Sequence, residues 1–145
     1  MRIVIEDAGD GKEEEIIIRC HEADEHLLQL IYGLKMRKDK LACSTQGAIY
    51  MVSPVEIYYF EAVDNKIFVY CKDEVYETKY KLYELEEMYS HTDFFRASKS
   101  IILNVAKIRN IAPIFNGRFE ALLDNDEKII ISRQFVPELK NKLGM

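Results

Sequence analysis

Three histidines are the side chains of this sequence best suited to act as a general base or a metal ligand near neutral pH. His21 and His26 lie five residues apart and so do not form the i, i+4 pair of a helical zinc site. His91 stands in the run Ser90-His91-Thr92-Asp93, but catalytic triads are assembled in space rather than along the chain. We therefore expect no catalytic residue and no metal site, and we interpret the run around His91 as a polar loop.

Glycine spacing bears on nucleotide chemistry. The six glycines form neither a Walker motif nor a dinucleotide-binding motif, because no set of them has the complete spacing of either motif. We expect no cofactor and no small-molecule substrate, and therefore no enzyme. The glycines stand at positions 9, 11, 33, 47, 117 and 144.

The cysteines Cys20, Cys43 and Cys71 are odd in number and far apart. Each has apolar neighbours in a segment that we predict to be a strand. This setting favours reduced, buried thiols over a disulfide framework.

The composition favours one compact domain with a small appendage, since the chain has 145 residues, of which 48% are hydrophobic and 31% charged. Acidic residues interrupt residues 1–7 before any apolar stretch long enough for a signal peptide, and no later run approaches a membrane span. We expect a soluble cytoplasmic protein without membrane insertion.

The charge is unevenly distributed along the chain. Residues 1–95 carry 11 Lys and Arg against 20 Asp and Glu, whereas residues 96–145 carry 9 against 5. The net charge of −5 therefore conceals a basic last third. Such a segment is compatible with nucleic-acid binding, but charge alone does not establish it.

The first 43 residues predict a β-β-α leader. Residues 3–5 and 16–18 are β-branched runs separated by the polar, turn-forming residues 7–12. Residues 22–37 have apolar side chains at helical spacing, with acids in the first turn and bases in the last, and predict a helix. This helix could pack on the rest of the chain or form a dimer contact.

The remaining chain, residues 44–145, predicts a mainly β body, so that the fold class is α+β overall. A short helix is predicted over 81–89, and one or two helical turns over 137–143. The Asn116-Gly117 pair predicts a two-residue hairpin. The predicted strands, the first of which overlaps the end of the leader, are 40–43, 48–52, 57–61, 67–71, 75–78, 100–103, 111–115, 118–123 and 128–132, and strand structure resumes from residue 94.

Three segments in a fixed order carry a resemblance to a known family. Residues 55–66 (VEIYYFEAVDNK) are similar to an Asp/Glu-Ile-x-Tyr-Ile/Phe-Glu signature followed by a polar loop. Residues 94–104 (FFRASKSIILN) are similar to Phe-x-Arg-x-His-Arg/Lys-Ser-x-x-Val-Asn, with Ser98 at the histidine position. Residues 130–135 (IISRQF) are similar to a closing Val-Ser-Arg-Arg/Gln-Tyr/Phe segment. Together they resemble the LytTR domain over about residues 44–144, in a stand-alone form without a receiver domain.

This resemblance implies an elongated, mostly β fold with a short helix that presents loops to successive major grooves of duplex DNA. Two flanking residues are excluded from base reading: we expect Arg96 to pair with an acidic neighbour and Asn104 to end its strand through side-chain hydrogen bonds. The DNA-contact candidates that the resemblance implies are Asn65, Lys66, Ser98, Lys99, Ser100, Arg133 and Gln134.

The function expected from the resemblance is a transcriptional regulator that binds double-stranded DNA sequence-specifically as a homodimer. The alternative is a protein–protein interaction module, in which the acidic leader and the Tyr-rich surface bind a partner with little or no DNA binding.

Overall fold

The computed structural model describes the backbone of residues 2–145 and the side chains of all these residues except 35–38. Its strands form one seven-stranded and one three-stranded antiparallel sheet. The fold is mainly β with short helices, which confirms the predicted fold class. The elements are α1 (Glu25–Lys38), β1 (Leu41–Thr45), β2 (Ala48–Val52), β3 (Ile57–Val63), β4 (Lys66–Cys71), β5 (Val75–Thr78), α2 (Leu82–Met88), β6 (Phe94–Arg96), β7 (Ile101–Asn104), β8 (Ile108–Pro113), β9 (Phe119–Leu123), β10 (Lys128–Ile131) and α3 (Val136–Lys142).

The larger sheet has the strand order β2-β1-β5-β4-β3-β7-β6, and the smaller has the order β10-β9-β8. Several neighbouring strands are joined by tight turns whose residues have a left-handed backbone. Asp64 and Asn65 have φ values of 49° and 64° and connect the paired residues Val63 and Lys66, which makes a two-residue hairpin of the I′ kind. This turn places the end of the β3–β4 hairpin in solvent.

Two apolar cores hold the sheets and helices together, and β3 contributes to both. Ile57 and Phe60 are fully buried in the core that includes Leu85 of α2. Tyr58 and Tyr59 belong to the other core, which includes residues of β9, β10 and α3. The aromatic run of β3 is therefore core on both faces, and the register irregularity between Ile57 and Tyr59 breaks the strict alternation of a strand at this point.

Two expectations for the leader are wrong. Residues 3–5 and 16–18 form no strand, although the structure describes both runs, and Ile3 and Ile5 are 82% and 93% exposed. A β-branched run becomes a strand only when another strand pairs with it, and the described chain supplies neither run with a partner. The second wrong expectation is burial of Cys20, which lies in the same segment and is exposed. Cys43 is buried and Cys71 is half-buried.

The predicted helices are confirmed with small changes of boundary. α1 begins after Asp24, whose carboxylate accepts a hydrogen bond from the Leu27 amide at 2.9 Å. The polar loop around His91 has a structural use, because the His91 Nδ1 atom lies 3.1 Å from the Glu25 carboxylate and its ring stacks on Tyr32. These contacts attach the start of α1 to the β-rich body.

The Asn116-Gly117 hairpin is longer than predicted. The Ile114 amide donates to the Arg118 carbonyl at 2.9 Å, which leaves a three-residue loop at 115–117 instead of two residues. Asn116 and Gly117 have φ values of 64° and 73°. Asparagine and glycine adopt this left-handed backbone more readily than other residues do. No helix in the described part of the chain is long and apolar enough to cross a membrane.

Candidate nucleic-acid interface

The end of the β3–β4 hairpin presents the first pair of predicted contact residues. Asn65 and Lys66 are both exposed. The Lys66 ammonium lies 3.8 Å from the Glu77 carboxylate, and both side chains are largely solvated. An exposed ion pair of this kind contributes little free energy, so Lys66 can exchange Glu77 for another anion at small cost.

The loop between β6 and β7 presents the second set, and the Arg96 guanidinium fixes its backbone. Arg96 Nε donates to the Ser98 carbonyl oxygen at 2.8 Å, and Nη2 donates to the Lys99 carbonyl oxygen at 2.6 Å. The remaining Nη1 atom donates to the Glu86 carboxylate at 2.6 Å. The expected acidic partner of Arg96 is thus Glu86 of α2, and the same guanidinium shapes the loop that carries Lys99.

Within this loop the side chains differ in exposure. Lys99 is exposed, whereas Ser98 and Ser100 are half-buried. The Ser98 hydroxyl accepts a hydrogen bond from the Ser100 amide at 3.3 Å. Lys99 is therefore the side chain of the loop that is most accessible to a ligand.

The turn after β10 presents the third set. Arg133 and Gln134 are exposed on a short 3-10 turn, Arg133–Phe135, in which the Phe135 amide donates to the Ser132 carbonyl at 2.9 Å. The turn leads directly into α3, whose Leu139 is fully buried. Buried neighbours on both sides hold the turn in place.

Backbone hydrogen bonds join the three sets at one end of the molecule. The Ala62 amide, beside the β3–β4 turn, donates to the Ser100 carbonyl at 2.8 Å. The Ser132 amide, beside the Arg133 turn, donates to the Ala97 carbonyl at 2.8 Å. Segments separated by more than thirty residues in sequence are thus adjacent, and the β6–β7 loop lies between the other two.

A fourth segment at this end has no counterpart among the predicted site residues. Gly117, in the β8–β9 loop, lies so close to Arg133 that a Cβ atom there would be 2.9 Å from the Arg133 Cδ. The aliphatic part of Arg133 therefore rests on the loop 115–117. The sequence indicated a turn at Asn116-Gly117, but the contact between this turn and Arg133 is a tertiary feature without a local signal.

In the middle of the β3–β4 hairpin, one of two stacked tyrosines binds an acidic side chain. The rings of Tyr59 and Tyr70 lie 4.3 Å apart, and the Tyr70 hydroxyl donates to the Glu61 carboxylate at 3.3 Å. Burial, and then the neighbouring Glu61 charge, raise the pKa of Tyr70. Tyr70 therefore remains a neutral donor at physiological pH and orients Glu61.

The chemistry of this surface is that of hydrogen-bond donors: an ammonium, a guanidinium, amides and hydroxyls on exposed loops. These groups match phosphate oxygens and the edges of bases. Within the described residues, no group of three or more His, Cys, Asp and Glu side chains could hold a metal ion. The arrangement is suited to binding an anionic polymer.

Comparison with known proteins matches nearly the same part of the chain as the resemblance found in the sequence. The model of the LytTr DNA-binding domain family matches residues 47–144. A solved LytTr DNA-binding domain from Bacillus cereus superposes with a TM-score of 0.69 at 27% identity, covering 74% of this chain and 98% of that one.

Longer proteins contain the same region. Sensory transduction protein LytT of Enterococcus faecalis is 30% identical over 109 residues, which is 75% of this chain and 45% of that protein. Transcriptional regulatory protein YpdB of Escherichia coli is 35% identical over 97 residues, which is 66% of this chain and 40% of that protein. This chain thus spans less than half the length of the curated relatives that it matches.

Proposed function

Because the chain belongs to the LytTR DNA-binding domain family, we propose that it is a transcriptional regulator that binds double-stranded DNA sequence-specifically. The observation that supports this proposal best is the hydrogen-bonded assembly of the three loops, which presents all seven predicted contact residues at one end. The loops, rather than a helix, enter the major groove.

Each proposed contact follows from side-chain chemistry. Lys99 and Arg133 donate to guanine O6 and N7, and Asn65 and Gln134 pair with the edge of adenine. Ser98, Ser100 and Lys66 bind phosphate oxygens and fix the register of the protein on the duplex. Lys99 and Arg133 are the most informative residues to change, because both are exposed cations that we assign to base reading.

Selection from a random duplex library tests sequence reading. Wild-type protein should enrich paired half-sites, and the Lys99→Ala/Arg133→Ala double variant should lose this enrichment. Lys72→Ala is a matched control: Lys72 is also exposed but lies in the β4–β5 turn, at the opposite end of β4 from Lys66. Equal enrichment by wild type and the double variant would refute the site.

Salt dependence tests the electrostatic part of the proposal. Each Lys or Arg that contacts a phosphate releases counterions, so that affinity for the selected duplex should fall steeply with added salt. Fluorescence anisotropy from about 50 to 200 mM salt should give a log–log slope that becomes shallower by about one unit in Lys66→Ala. A flat dependence would contradict DNA binding through these loops.

We also propose that residues 1–43 act as a leader with a packing or dimerisation role, and residues 44–145 as the DNA-binding domain. Supporting a dimer contact, Leu30, Ile31 and Leu34 of α1 are 46%, 39% and 37% exposed. Homodimers suit paired half-sites, because the symmetry of the protein then matches that of the site. Sedimentation analysis should show a dimer for wild type and a monomer for Leu30→Glu/Ile31→Glu.

A protein-interaction module is the second candidate, favoured by the outer strand β2. This edge strand exposes Ile49, Tyr50 and Met51 by 76%, 47% and 57%. Exposed apolar edge strands are ready sites for pairing with another chain. A protein that enriches no duplex in the selection, but binds a partner through β2, would support this candidate.

A further inference from the structure

The tip of the β8–β9 hairpin carries a large apolar side chain in an unusual position. Phe115 is 82% exposed, although burying a phenylalanine side chain away from water lowers the free energy of the protein. It lies two residues before Gly117, whose backbone is in contact with the Arg133 side chain. Phe115 is thus adjacent to one of the residues that the proposed function assigns to base reading.

Two arginines contact the loop that carries Phe115. The Arg133 side chain lies against Gly117. Arg118 Nε donates to the Phe115 carbonyl at 3.1 Å, and the Lys140 ammonium lies 5.7 Å from the centre of the Phe119 ring. An exposed aromatic side chain among cations is placed where a phosphate backbone would be drawn towards it.

The tip is already ordered in the protein by itself. The Arg118 amide donates to the Phe115 carbonyl at 3.4 Å, and Pro113 pairs with Phe119 at the base of the loop. Asn116 and Gly117 supply the two left-handed backbone positions. A preformed loop loses little conformational freedom when it binds, which favours a role in recognition.

We propose that Phe115 contacts the C5 methyl group of a thymine in the same major groove that Arg133 enters, and so adds a thymine preference to the recognised site. This inference rests on the proposed function. Base faces are stacked within a duplex, and the thymine methyl is the apolar group that the major-groove edge offers. Phe115 and Gly117 are two residues apart, at most about 7 Å between their Cα atoms, and the Arg133 side chain contacts Gly117. We therefore expect the thymine near the base that Arg133 reads.

Thymine-to-deoxyuridine substitution tests this contact, because it removes only the methyl group. Starting from the selected duplex, each thymine near the Arg133 position is replaced in turn, and Kd is measured by fluorescence anisotropy. For wild type, one replacement should weaken binding about fourfold, the factor expected for one buried methyl group. Phe115→Ala should bind the thymine duplex more weakly than wild type does. It should bind the thymine duplex and the deoxyuridine duplex with equal affinity.

Val75→Ala is the control, because Val75 is 43% exposed at the start of β5, beside the β4–β5 turn and at the opposite end of β4 from Lys66. It should keep the wild-type affinity and the wild-type response to deoxyuridine. Melting temperatures of both variants should equal that of wild type, since neither side chain is buried.

Three results would overturn the inference. If Phe115→Ala binds like wild type while Lys99→Ala/Arg133→Ala does not, the proposed function stands and the Phe115 contact is wrong. If Phe115→Ala weakens binding but no deoxyuridine does so in wild type, the side chain touches DNA elsewhere than at a thymine methyl. If wild type selects no duplex, the proposed function and the inference both fail.

Discussion

Arg96 Nη2 donates a hydrogen bond of 2.6 Å to the carbonyl oxygen of Lys99, the residue after which the β6–β7 loop turns back. The same guanidinium also binds the Ser98 carbonyl and the Glu86 carboxylate. A single cation thus connects α2 to the backbone of a proposed DNA-contact loop. Its side chain is 20% exposed, so these hydrogen bonds are partly shielded from water.

Arg96→Ala should weaken specific DNA binding by about 1–3 kcal/mol, because the carbonyls of Ser98 and Lys99 lose their donor and the loop becomes disordered. Hydrogen exchange at residues 98–100 should accelerate in the free protein. Glu86→Gln is the control, since it removes the charge of the partner and leaves both carbonyl bonds in place. Hydrogen exchange at residues 98–100 as slow in Arg96→Ala as in wild type would contradict the role of Arg96 in positioning the loop.

Gly117→Ala should lower both stability and DNA binding. The φ of +73° costs a non-glycine residue roughly 1–2 kcal/mol. In addition, the new Cβ would lie 2.9 Å from the Arg133 Cδ and would displace that side chain. Urea unfolding and duplex titration measure the two effects separately.

Gly47→Ala provides the matched control for Gly117→Ala. Its φ is +78°, and a Cβ there would meet no atom within 4 Å. It should show the loss of stability without any loss of DNA affinity per folded molecule. Equal binding by the two variants would show that Arg133 does not depend on its contact with Gly117.

Asn104→Ala should destabilise the fold by about 2–3 kcal/mol. The buried side-chain Nδ2 of Asn104 donates to the Ile57 carbonyl at 2.8 Å, and the side-chain Oδ1 accepts from the backbone amide of Ala106 at 3.0 Å. Removing the side chain leaves a buried carbonyl without a donor. Chemical denaturation should show the change, and a midpoint like that of wild type would contradict it.

The cysteines should differ in reactivity and should make stability pH-dependent in alkali. Burial, and then the neighbouring Cys71, raise the pKa of Cys43 to about 12. Because the folded pKa is above the unfolded value of 9.0, the stabilisation is complete below pH about 9 and is lost as pH rises towards 12. A thiol reagent at pH about 8 should modify exposed Cys20 first and Cys43 only on unfolding.

Comparison of Cys43→Ser with wild type isolates this pH effect. Between pH about 9 and 11 the free energy of unfolding should fall more steeply for wild type than for the variant. Parallel curves would show that Cys43 does not contribute. Mass spectrometry of the labelled native protein should find one adduct, on Cys20.

Local patterns in the sequence were sufficient for most elements of the fold. Helix α1 has apolar residues at a spacing of three to four, and the left-handed pair Asp64-Asn65 supplies the backbone that a tight hairpin needs. The LytTR resemblance rested on motifs whose order and spacing survive in the sequence. Tyr58, Tyr59 and Phe60 are buried, as we predict for aromatic residues of a strand, but the irregularity between Ile57 and Tyr59 decides which core each ring joins.

Patterns that depend on a distant partner could not be interpreted in the same way. Residues 3–5 and 16–18 have strand composition, but a strand exists only where another backbone completes its hydrogen bonds. The same reasoning applies to Cys20, which was expected to be buried because its segment was expected to pair.

The sequence by itself determined most strands and helices of the body, because periodicity and turn chemistry are local properties. The candidate loops came from the resemblance of its three motifs to the LytTR family. Only the tertiary structure decided that Ala62 binds Ser100, that Ser132 binds Ala97 and that Arg133 lies on Gly117. Sheet pairing and core packing set those distances. Hydrogen bonds between segments distant in sequence are fixed by the fold as a whole, so no single stretch of residues encodes them.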